Sequence, residues 1–432
     1  MAFVQSVDRG FFPLDEELEL LPGGLSPHGY ESLVRLAGWT PFKRAAEMFE
    51  DFMGIHVDKS TCRRYAESAG KAYENLQTEE MERLERDMPV APAAGAEKIQ
   101  VSADGAMVPI VKGQWAEVRT VVIGEVQPKV EEKGEWVVHT RNLSYFSHMV
   151  SSDEFTRLAL VEVQRRGLEN AKEVGAVMDG SDWLQGFADY HCPTAVRILD
   201  FPHAGGHISS IGKFLYGEST PETKEWLGKR LHQLKHDGPT GLLDDFRNLQ
   251  KEYPDENVVT GNLAYLEKRE KQLQYPQFQA DGWPIGSGIV ESGNKLVVEA
   301  RLKGAGMHWA SENVNPMLAI RNILCSDRWK EDWPKVAAQL RRQTAQEQTK
   351  NHQARFEAKA VLTSNELAQS TLIAEQILNE APVEPKPIEL PKIPKDNPWR
   401  KFKFGKALYE HASNNVANFL HQPLIRLNPA VF

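Results

Sequence analysis

The chain has 432 residues, of which 41% are hydrophobic and 26% are charged, and its formal net charge is -9. This length exceeds what one hydrophobic core usually supports, so two or three domains are expected. The acidic balance argues against a protein whose whole surface binds nucleic acid, and any such contact must come from local basic patches.

Membrane insertion and disulfide cross-linking are both disfavoured. No apolar run approaches the roughly 18 residues that a membrane span needs, and the segment Met1–Arg9 lacks the basic start and apolar stretch of a secretory signal. The cysteines, Cys62, Cys192 and Cys325, lie far apart and form no C-x-x-C pair, which argues against a disulfide framework or a sulfur-ligated zinc site. A cytoplasmic protein with reduced thiols is expected.

The first predicted elements are three short helices. Residues 1–25 are interpreted as an N-terminal arm and residues 26–90 as a helix-turn-helix DNA-binding domain, because Ser26, Thr40 and Asp58 each mark a helix start and each helix has one apolar stripe. A plain three-helix bundle with a solvated charged face is the alternative. The basic residues of the third helix that are predicted to bind DNA are Lys59, Arg63 and Arg64.

A strand-rich region follows from Lys98, where β-branched and aromatic runs are separated by glycines and charges. Five strands are expected, over residues 99–104, 115–123, 136–141, 174–179 and 195–200. Helices from about Ser152 and from Trp183 separate the last three strands. The resulting order, βββαβαβα, predicts an α/β ribonuclease H-like catalytic domain, whose first part covers residues 91–215.

The rest of the chain is predicted to be mostly helical. An all-helical insertion over residues 216–280 precedes the second part of the catalytic domain, residues 281–325, and a helical extension covers residues 326–380. Residues 381–432 are interpreted as an extended linker, indicated by six prolines from Pro382 to Pro398, followed by a basic C-terminal tail. An ordered detour as long as the insertion is more often functional than neutral, so it is expected to pack beside the active site. No internal repeat is visible.

Three acidic residues form the predicted catalytic site. Asp104 closes the first strand and Asp179 closes the fourth, and these strands are neighbours in a ribonuclease H-like sheet. Glu291 lies on the helix that follows a Gly-Ser-Gly turn. Adjacent carboxylates repel unless a cation pairs them, and Mg²⁺ and Mn²⁺ prefer such hard oxygens. Two of these ions, about 4 Å apart, would support in-line phosphoryl transfer on nucleic acid.

Two other acids are alternatives for this site. Asp182 lies three residues after Asp179, but it opens a helix and is better explained as a cap. Glu299 lies eight residues after Glu291, two turns further from the Gly-rich turn. Asp179 and Glu291 are therefore preferred.

A histidine-containing segment follows the fifth strand. Asp200, His203 and His207 have the spacing to line one helix face and bind Zn²⁺. Two glycines weaken the helix there and no fourth ligand is evident, so a structural or DNA-positioning role is favoured. Asp200 and His203 are predicted to support the active site.

Further DNA contacts are predicted after the third acid. Lys295 lies four residues after Glu291, so an intrahelical ion pair is the alternative to a phosphate contact. Trp309 has the shape to stack on an exposed base, although burial in the core is the favoured role. The predicted contacts here are Lys295, Arg301, Lys303 and Trp309.

Several segments resemble bacterial insertion-sequence transposases of the Kra type, which are distant relatives of the Mutator-like transposases. They are Val101-Ser-Ala-Asp-Gly105, Met178-Asp-Gly180, Ile285-Gly-Ser-Gly-Ile-Val-Glu-Ser-Gly-Asn294 and Arg301-Leu-Lys-Gly-Ala-Gly-Met-His-Trp309. The likeness spans roughly Pro13 to Trp399. It implies that Asp104, Asp179 and Glu291 are the catalytic Asp, Asp and Glu of a DDE enzyme.

The resemblance also covers Asp200-Phe-Pro-His203, which is similar to the D-x-x-H signature of Mutator-like enzymes. Full-length relatives tend to carry a Cys-rich zinc ribbon ahead of the segment that begins at Pro13, and no cysteine lies there in this sequence. Recognition of element ends is therefore expected to rest on the helix-turn-helix.

The function implied is a DDE transposase that cleaves DNA at the ends of an insertion sequence and joins the freed 3′ hydroxyl to target DNA. Its expected cofactors are two Mg²⁺ or Mn²⁺ ions, and its partner is double-stranded DNA. Because two ends must be held at once, a homodimer or larger homo-oligomer is expected. A truncated or domesticated DNA-binding derivative and a stand-alone metal-dependent nuclease are the alternatives.

Overall fold

The computed structural model describes residues 18–87, 96–132 and 135–379. The chain is a mixed α/β protein with N-terminal helices, a five-stranded mixed sheet and many helices after it. Residues up to Gln353 belong to one compact unit, and a second unit begins at Ala354. Among the described helices, none is long and apolar enough to cross a membrane. The first part of the predicted arm, the linker and the basic tail lie outside these residues.

Three helices open the described chain: α1 (Pro27–Trp39), α2 (Phe42–Met53) and α3 (Lys59–Asp87). The Ser26 hydroxyl accepts a hydrogen bond from the Gly29 amide, and the Asp58 carboxylate accepts one from the Thr61 amide, so both caps are confirmed. The Thr40 hydroxyl instead donates to a carbonyl of the last turn of α1. Thr40 therefore ends α1, and the prediction that it caps α2 is wrong.

The strands are β1 (Lys98–Ile110), β2 (Gln114–Val126), β3 (Val130–Glu132), β4 (Glu135–Val137), β5 (Thr140–His148), β6 (Glu173–Met178) and β7 (Val196–Leu199). The main sheet has the order β5-β2-β1-β6-β7. β2 is antiparallel to both β1 and β5, whereas β1, β6 and β7 are parallel. β3 and β4 form a separate hairpin.

The third predicted strand, residues 136–141, is misplaced. Glu135–Val137 pairs only within the small hairpin, and Thr140–His148 joins the main sheet. The end of β5 is buried although it is polar, since Ser147 hydrogen bonds to Thr120 and to both polar groups of the Asn322 side chain. A strand that is stabilised by distant polar partners has no alternating apolar pattern to reveal it.

The helices after the third main strand are α4 (Ser152–Arg165), α5 (Asp182–His191), α6 (Phe201–Tyr216), α7 (Pro221–Asp237), α8 (Pro239–Glu252), α9 (Asn257–Lys268), α10 (Tyr275–Ala280), α11 (Gly288–Gly293), α12 (Ala300–Leu302), α13 (Ser311–Cys325) and α14 (Trp329–Asn379). A π-helix, Asn294–Glu299, connects α11 to α12. The helical character predicted for residues 216–280 and 326–380 is confirmed where the structure describes them.

Alternation along β1 divides the interior into two layers. Val101 and Ala103 pack with α4 and α5 on one face of the sheet. Ala106 and Val108 pack on the other face with α1, α2, α11 and α13. The N-terminal helices thus share a core with the sheet.

The helical insertion has its own apolar layer against the end of the sheet. Val177 of β6 and Leu199 of β7 pack in one cluster with side chains from α6 to α10. Trp283, which ends the insertion, belongs to the same cluster. The insertion therefore lies against β6, which leads to Asp179, and β7, which leads to Asp200.

Candidate active site

The sheet register brings the first two acids together. β1 pairs in parallel with β6 up to Val101 opposite Ala176. Asp104 and Asp179 each lie three residues further along, so the same register aligns them on adjacent chain segments. Both are partly exposed. β1 continues to Ile110, so Asp104 lies within the strand and does not close it as predicted.

Glu291 reaches this region from the helix α11. A Cβ atom added at Gly293 would lie 2.7 Å from the Val122 side chain of β2 and 3.2 Å from that of Tyr145 in β5. Only a glycine therefore lets α11 approach the sheet so closely. Glu291 itself is exposed, on the sheet face that also carries the side chain of Asp104.

The charges of the other two acids act on Asp104. Burial raises the pKa of the Asp104 carboxyl, and the negative charges of Asp179 and Glu291 raise it further. The Gly105 amide and the Asn294 side chain act in the opposite direction by hydrogen bonding to the carboxylate. Asp104 is thus the most constrained of the three acids.

Asn294 is a site residue that sequence reasoning missed. Its Nδ2 donates a 3.1 Å hydrogen bond to Oδ2 of Asp104, its side chain is only 6% exposed, and its Oδ1 is buried without a hydrogen-bond partner among the described residues. It lies three residues after Glu291, one helical turn along, and that spacing was the available signal.

The two alternative acids are engaged elsewhere. The Asp182 side chain is 87% exposed and pairs with Lys268 at 3.1 Å. Glu299 pairs with Lys303 at 2.7 Å. Within residues 18–87, 96–132 and 135–379, no group of three His, Cys, Asp or Glu side chains is arranged so that it could hold a metal ion. The three predicted acids thus interact through charge without forming a closed ligand set.

Asp200 connects the Gly-rich turn to α6. One carboxylate oxygen accepts from the His203 amide at 2.9 Å and caps the helix, and the other accepts from the Ser287 amide at 2.7 Å. Asp200 is buried, and both of its oxygens are occupied by these bonds. It supports the site by fixing the turn that precedes Glu291.

His203 is exposed and lies beside two aromatic rings. Its ring centroid is 5.3 Å from that of His207 and 6.1 Å from that of Tyr265. His207 shares a hydrogen bond with Asn262. Together with the capping role of Asp200, this arrangement does not favour the zinc alternative.

The basic residues of α3 are placed on the surface as predicted. Lys59, Arg63 and Arg64 are all exposed. Arg63 lies 3.7 Å from Glu67, and Arg64 donates to the Thr61 hydroxyl. These contacts are local to one helix face, so the guanidinium groups remain accessible to a ligand.

Lys295 is exposed, and it forms no ion pair with Glu291 in the described part of the chain. The π-helix begins between these residues and changes the face that each one presents. The intrahelical ion pair is therefore not formed. Lys303 is half-buried in its pair with Glu299, so it is less available to DNA than predicted.

Arg301 and Trp309 lie in the interior, so neither is an exposed DNA contact, and the burial favoured for Trp309 is confirmed. Arg301 is 1% exposed and donates from Nε to the Ala37 carbonyl at 2.9 Å. Its guanidinium carbon lies 5.2 Å from the centre of the Trp309 ring. Burial lowers the pKa of Arg301 to about 10, with a further contribution from the charge of Arg321. Arg301 connects α12 to α1, and Trp309 connects the following loop to Phe42 at the start of α2.

Arg321 is a second buried cation that sequence reasoning missed. It is 1% exposed and donates to the carbonyls of Val297, Leu296 and Gly38. Neither Arg321 nor Arg301 has an acidic partner among the described residues. The pair therefore joins the last turn of α1 to the π-helix that follows Glu291.

Comparison with known proteins gives no assignment. No protein-family model matches the sequence, and no curated protein matches it. The functional evidence is therefore the placement and the charge of the residues described above.

Proposed function

We propose that this chain is a DDE-type DNA transposase that uses Asp104, Asp179 and Glu291 to cleave and join DNA at the ends of an insertion sequence. The observation that carries the proposal is the register that aligns Asp104 with Asp179, together with the close packing of the Glu291 helix on the same sheet. The charges of Asp179 and Glu291, which add to the burial that raises the pKa of Asp104, support it. The sheet order β5-β2-β1-β6-β7, with β2 antiparallel to its neighbours, is consistent with a ribonuclease H-like fold.

The chemistry of the three side chains suits divalent cations, although they are not arranged to hold one in this structure. All three proposed ligands are carboxylates, the preferred ligands of Mg²⁺ and Mn²⁺, and the negative charge around Asp104 is what such a cation would neutralise. When bound, two ions would activate the attacking hydroxyl and stabilise the leaving phosphate oxygen. Because the carboxylates repel one another, we expect their side chains to draw closer when that charge is neutralised.

The neighbouring residues have roles that follow from their contacts. Asn294 holds one oxygen of Asp104 and so limits the rotation of that carboxylate. Asp200 fixes the turn that leads into α11. Lys295 is exposed beside Glu291 and is suited to bind a DNA phosphate. The surface of α3 that carries Arg63 and Arg64 would bind the element end.

The test uses DNA from either side of the gene. Linear duplexes that carry these flanks are incubated with the purified full chain and Mg²⁺, and strand cleavage and joining to a second duplex are measured. Cleavage followed by joining at one position in each flank is the expected result. Cleavage without joining would favour the nuclease alternative, and binding without cleavage would favour the domesticated derivative.

A further inference from the structure

Side chains of the helical insertion hold the turn that follows Asp179 by hydrogen bonds. The Gly180 amide donates a 3.0 Å hydrogen bond to the Tyr265 hydroxyl. The Gly180 carbonyl accepts from Nε of Arg269 at 3.0 Å and also from a second nitrogen of the same guanidinium. Both polar groups of the residue next to the catalytic acid are therefore held by side chains that come from α9 and the turn after it.

This contact is too close for any residue other than glycine. A Cβ atom at position 180 would lie within 3.0 Å of both the Arg269 guanidinium and the Tyr265 hydroxyl. On the other side of Gly180, the Ser181 amide donates to Oδ1 of Asp179 at 2.7 Å. Holding the backbone of Gly180 thus also holds the turn that orients the Asp179 carboxylate.

The side chains of Tyr265 and Arg269 are themselves held in place by further contacts. The Tyr265 ring stacks on His207 with centroids 3.8 Å apart, and the Arg269 guanidinium lies 3.7 Å from the centre of the same ring. Arg269 is only 6% exposed, and no acid pairs with it in the described part of the chain. A buried cation without a carboxylate partner is costly. Here its charge is directed to the carbonyl beside Asp179.

We infer that Tyr265 and Arg269 are positioning residues for Asp179, so that the helical insertion forms part of the catalytic site. Tyr265 is near enough for the charge of Asp179 to add to the burial that raises the pKa of its phenol. The inference rests on the proposed function, because it assigns the two side chains a task only if Asp179 binds a cation. Partners that orient metal ligands typically change metal affinity or activity by about 10- to 100-fold when they are replaced.

The experiment compares Tyr265→Phe, Gly180→Ala and Asp179→Asn with Lys268→Gln as the matched control. Tyr265→Phe removes only the hydroxyl that binds Gly180. Gly180→Ala adds a Cβ atom that displaces the side chains of both Tyr265 and Arg269. Lys268 adjoins Arg269 but makes an exposed ion pair with Asp182, so its replacement keeps the hydrogen bonds to Gly180. Three quantities are measured on the full chain: Mn²⁺ affinity, kcat and KM for cleavage of flank DNA, and amide hydrogen exchange of the turn without metal.

Tyr265→Phe and Gly180→Ala are expected to weaken Mn²⁺ binding and lower kcat by about 10-fold or more, with KM for DNA unchanged and with faster exchange in the turn. Lys268→Gln should match the parent chain in all three. Parental Mn²⁺ affinity and kcat in both turn variants would overturn the inference, provided that Asp179→Asn abolishes cleavage. Parental cleavage and Mn²⁺ affinity in Asp179→Asn would overturn the proposed function, and the inference with it.

Discussion

Asn294 donates a hydrogen bond to Asp104 across 190 residues of sequence, and this bond opposes the burial and the negative charges that raise the pKa of the Asp104 carboxyl. Asn294→Ala should therefore raise that pKa further. If the ionised carboxylate is the active form, the acid limb of the pH profile of kcat should move to higher pH. A profile that coincides with the parent's would show that Asn294 does not control the ionisation of Asp104.

The charge of Asp179 should cost stability when no metal is present. Asp179→Asn removes a negative neighbour of Asp104, and a repulsion of roughly 1 kcal/mol between such charges corresponds to a melting temperature about 2 °C higher in a unit of this size. Scanning calorimetry in chelator should show this rise. Asp182→Asn is the matched control, because Asp182 lies in solvent beside Lys268. Equal melting temperatures for Asp179→Asn and the parent would mean that the acids do not interact.

The pH dependence of the free energy of unfolding should also report the raised pKa of Asp104. A carboxyl whose pKa is raised in the folded state binds more protons there than in the unfolded chain, so the free energy of unfolding falls as pH rises from the ordinary pKa through the raised one. Asp104→Asn should remove this part of the pH dependence and stabilise the metal-free protein at neutral pH. Denaturant titrations at pH 4 to 8 measure the free energy of unfolding. If it depends on pH in the variant as it does in the parent, the pKa of Asp104 is not raised in the folded state.

Arg301 and Lys295 should separate stability from DNA binding. Arg301→Ala leaves the Ala37 carbonyl without its buried donor and opens a cavity. The free energy of unfolding is therefore expected to fall by about 3 kcal/mol. Lys295→Ala changes only the surface and should reduce the salt dependence of DNA binding by about one charge. Thermal melts and salt titrations of binding distinguish the two. The reverse pattern would restore Arg301 as a DNA contact.

The basic face of α3 should bind the element ends. Replacement of both Arg63 and Arg64 by Ala should weaken binding to flank DNA, with each contact worth roughly 1 to 3 kcal/mol. Arg86→Ala is the control, since Arg86 is exposed near the far end of the same helix. If gel-shift titrations give the parental affinity and salt dependence for the double variant, the N-terminal helices are a structural bundle.

Local features of this fold could be predicted from the sequence, whereas contacts between distant segments could not. The caps at Ser26 and Asp58 depend only on residues next to them in the sequence, because each side chain bonds to an amide three residues further on. The buried runs before Asp104 and Asp179 are recognisable as strands. The partner of Arg301 lies 264 residues away, so nothing near it predicts burial. The same holds for the polar end of β5, which depends on Asn322.

The candidate site divides in the same way. Asp104, Asp179 and Glu291 could be selected as candidates because buried runs precede the first two and a Gly-rich turn precedes the third, but the residues that hold them could not be predicted. The hydrogen bond to the Gly180 amide comes from Tyr265, which lies on a helix more than eighty residues further along. The π-helix after α11 leaves no recognisable pattern, yet it determines that Lys295 and Glu291 do not pair.

Cleavage of flank DNA by matched acid variants tests the central claim most directly. Asp104→Asn, Asp179→Asn and Glu291→Gln remove the three proposed catalytic acids, and Asp182→Asn and Glu299→Gln remove the same kind of group from the neighbouring acids that pair with Lys268 and Lys303. With Mg²⁺ present, the first three variants should lose cleavage to background while remaining folded and able to bind DNA, and the other two should retain it. Retention of cleavage by any of the first three, or its loss in both of the others, would contradict the account.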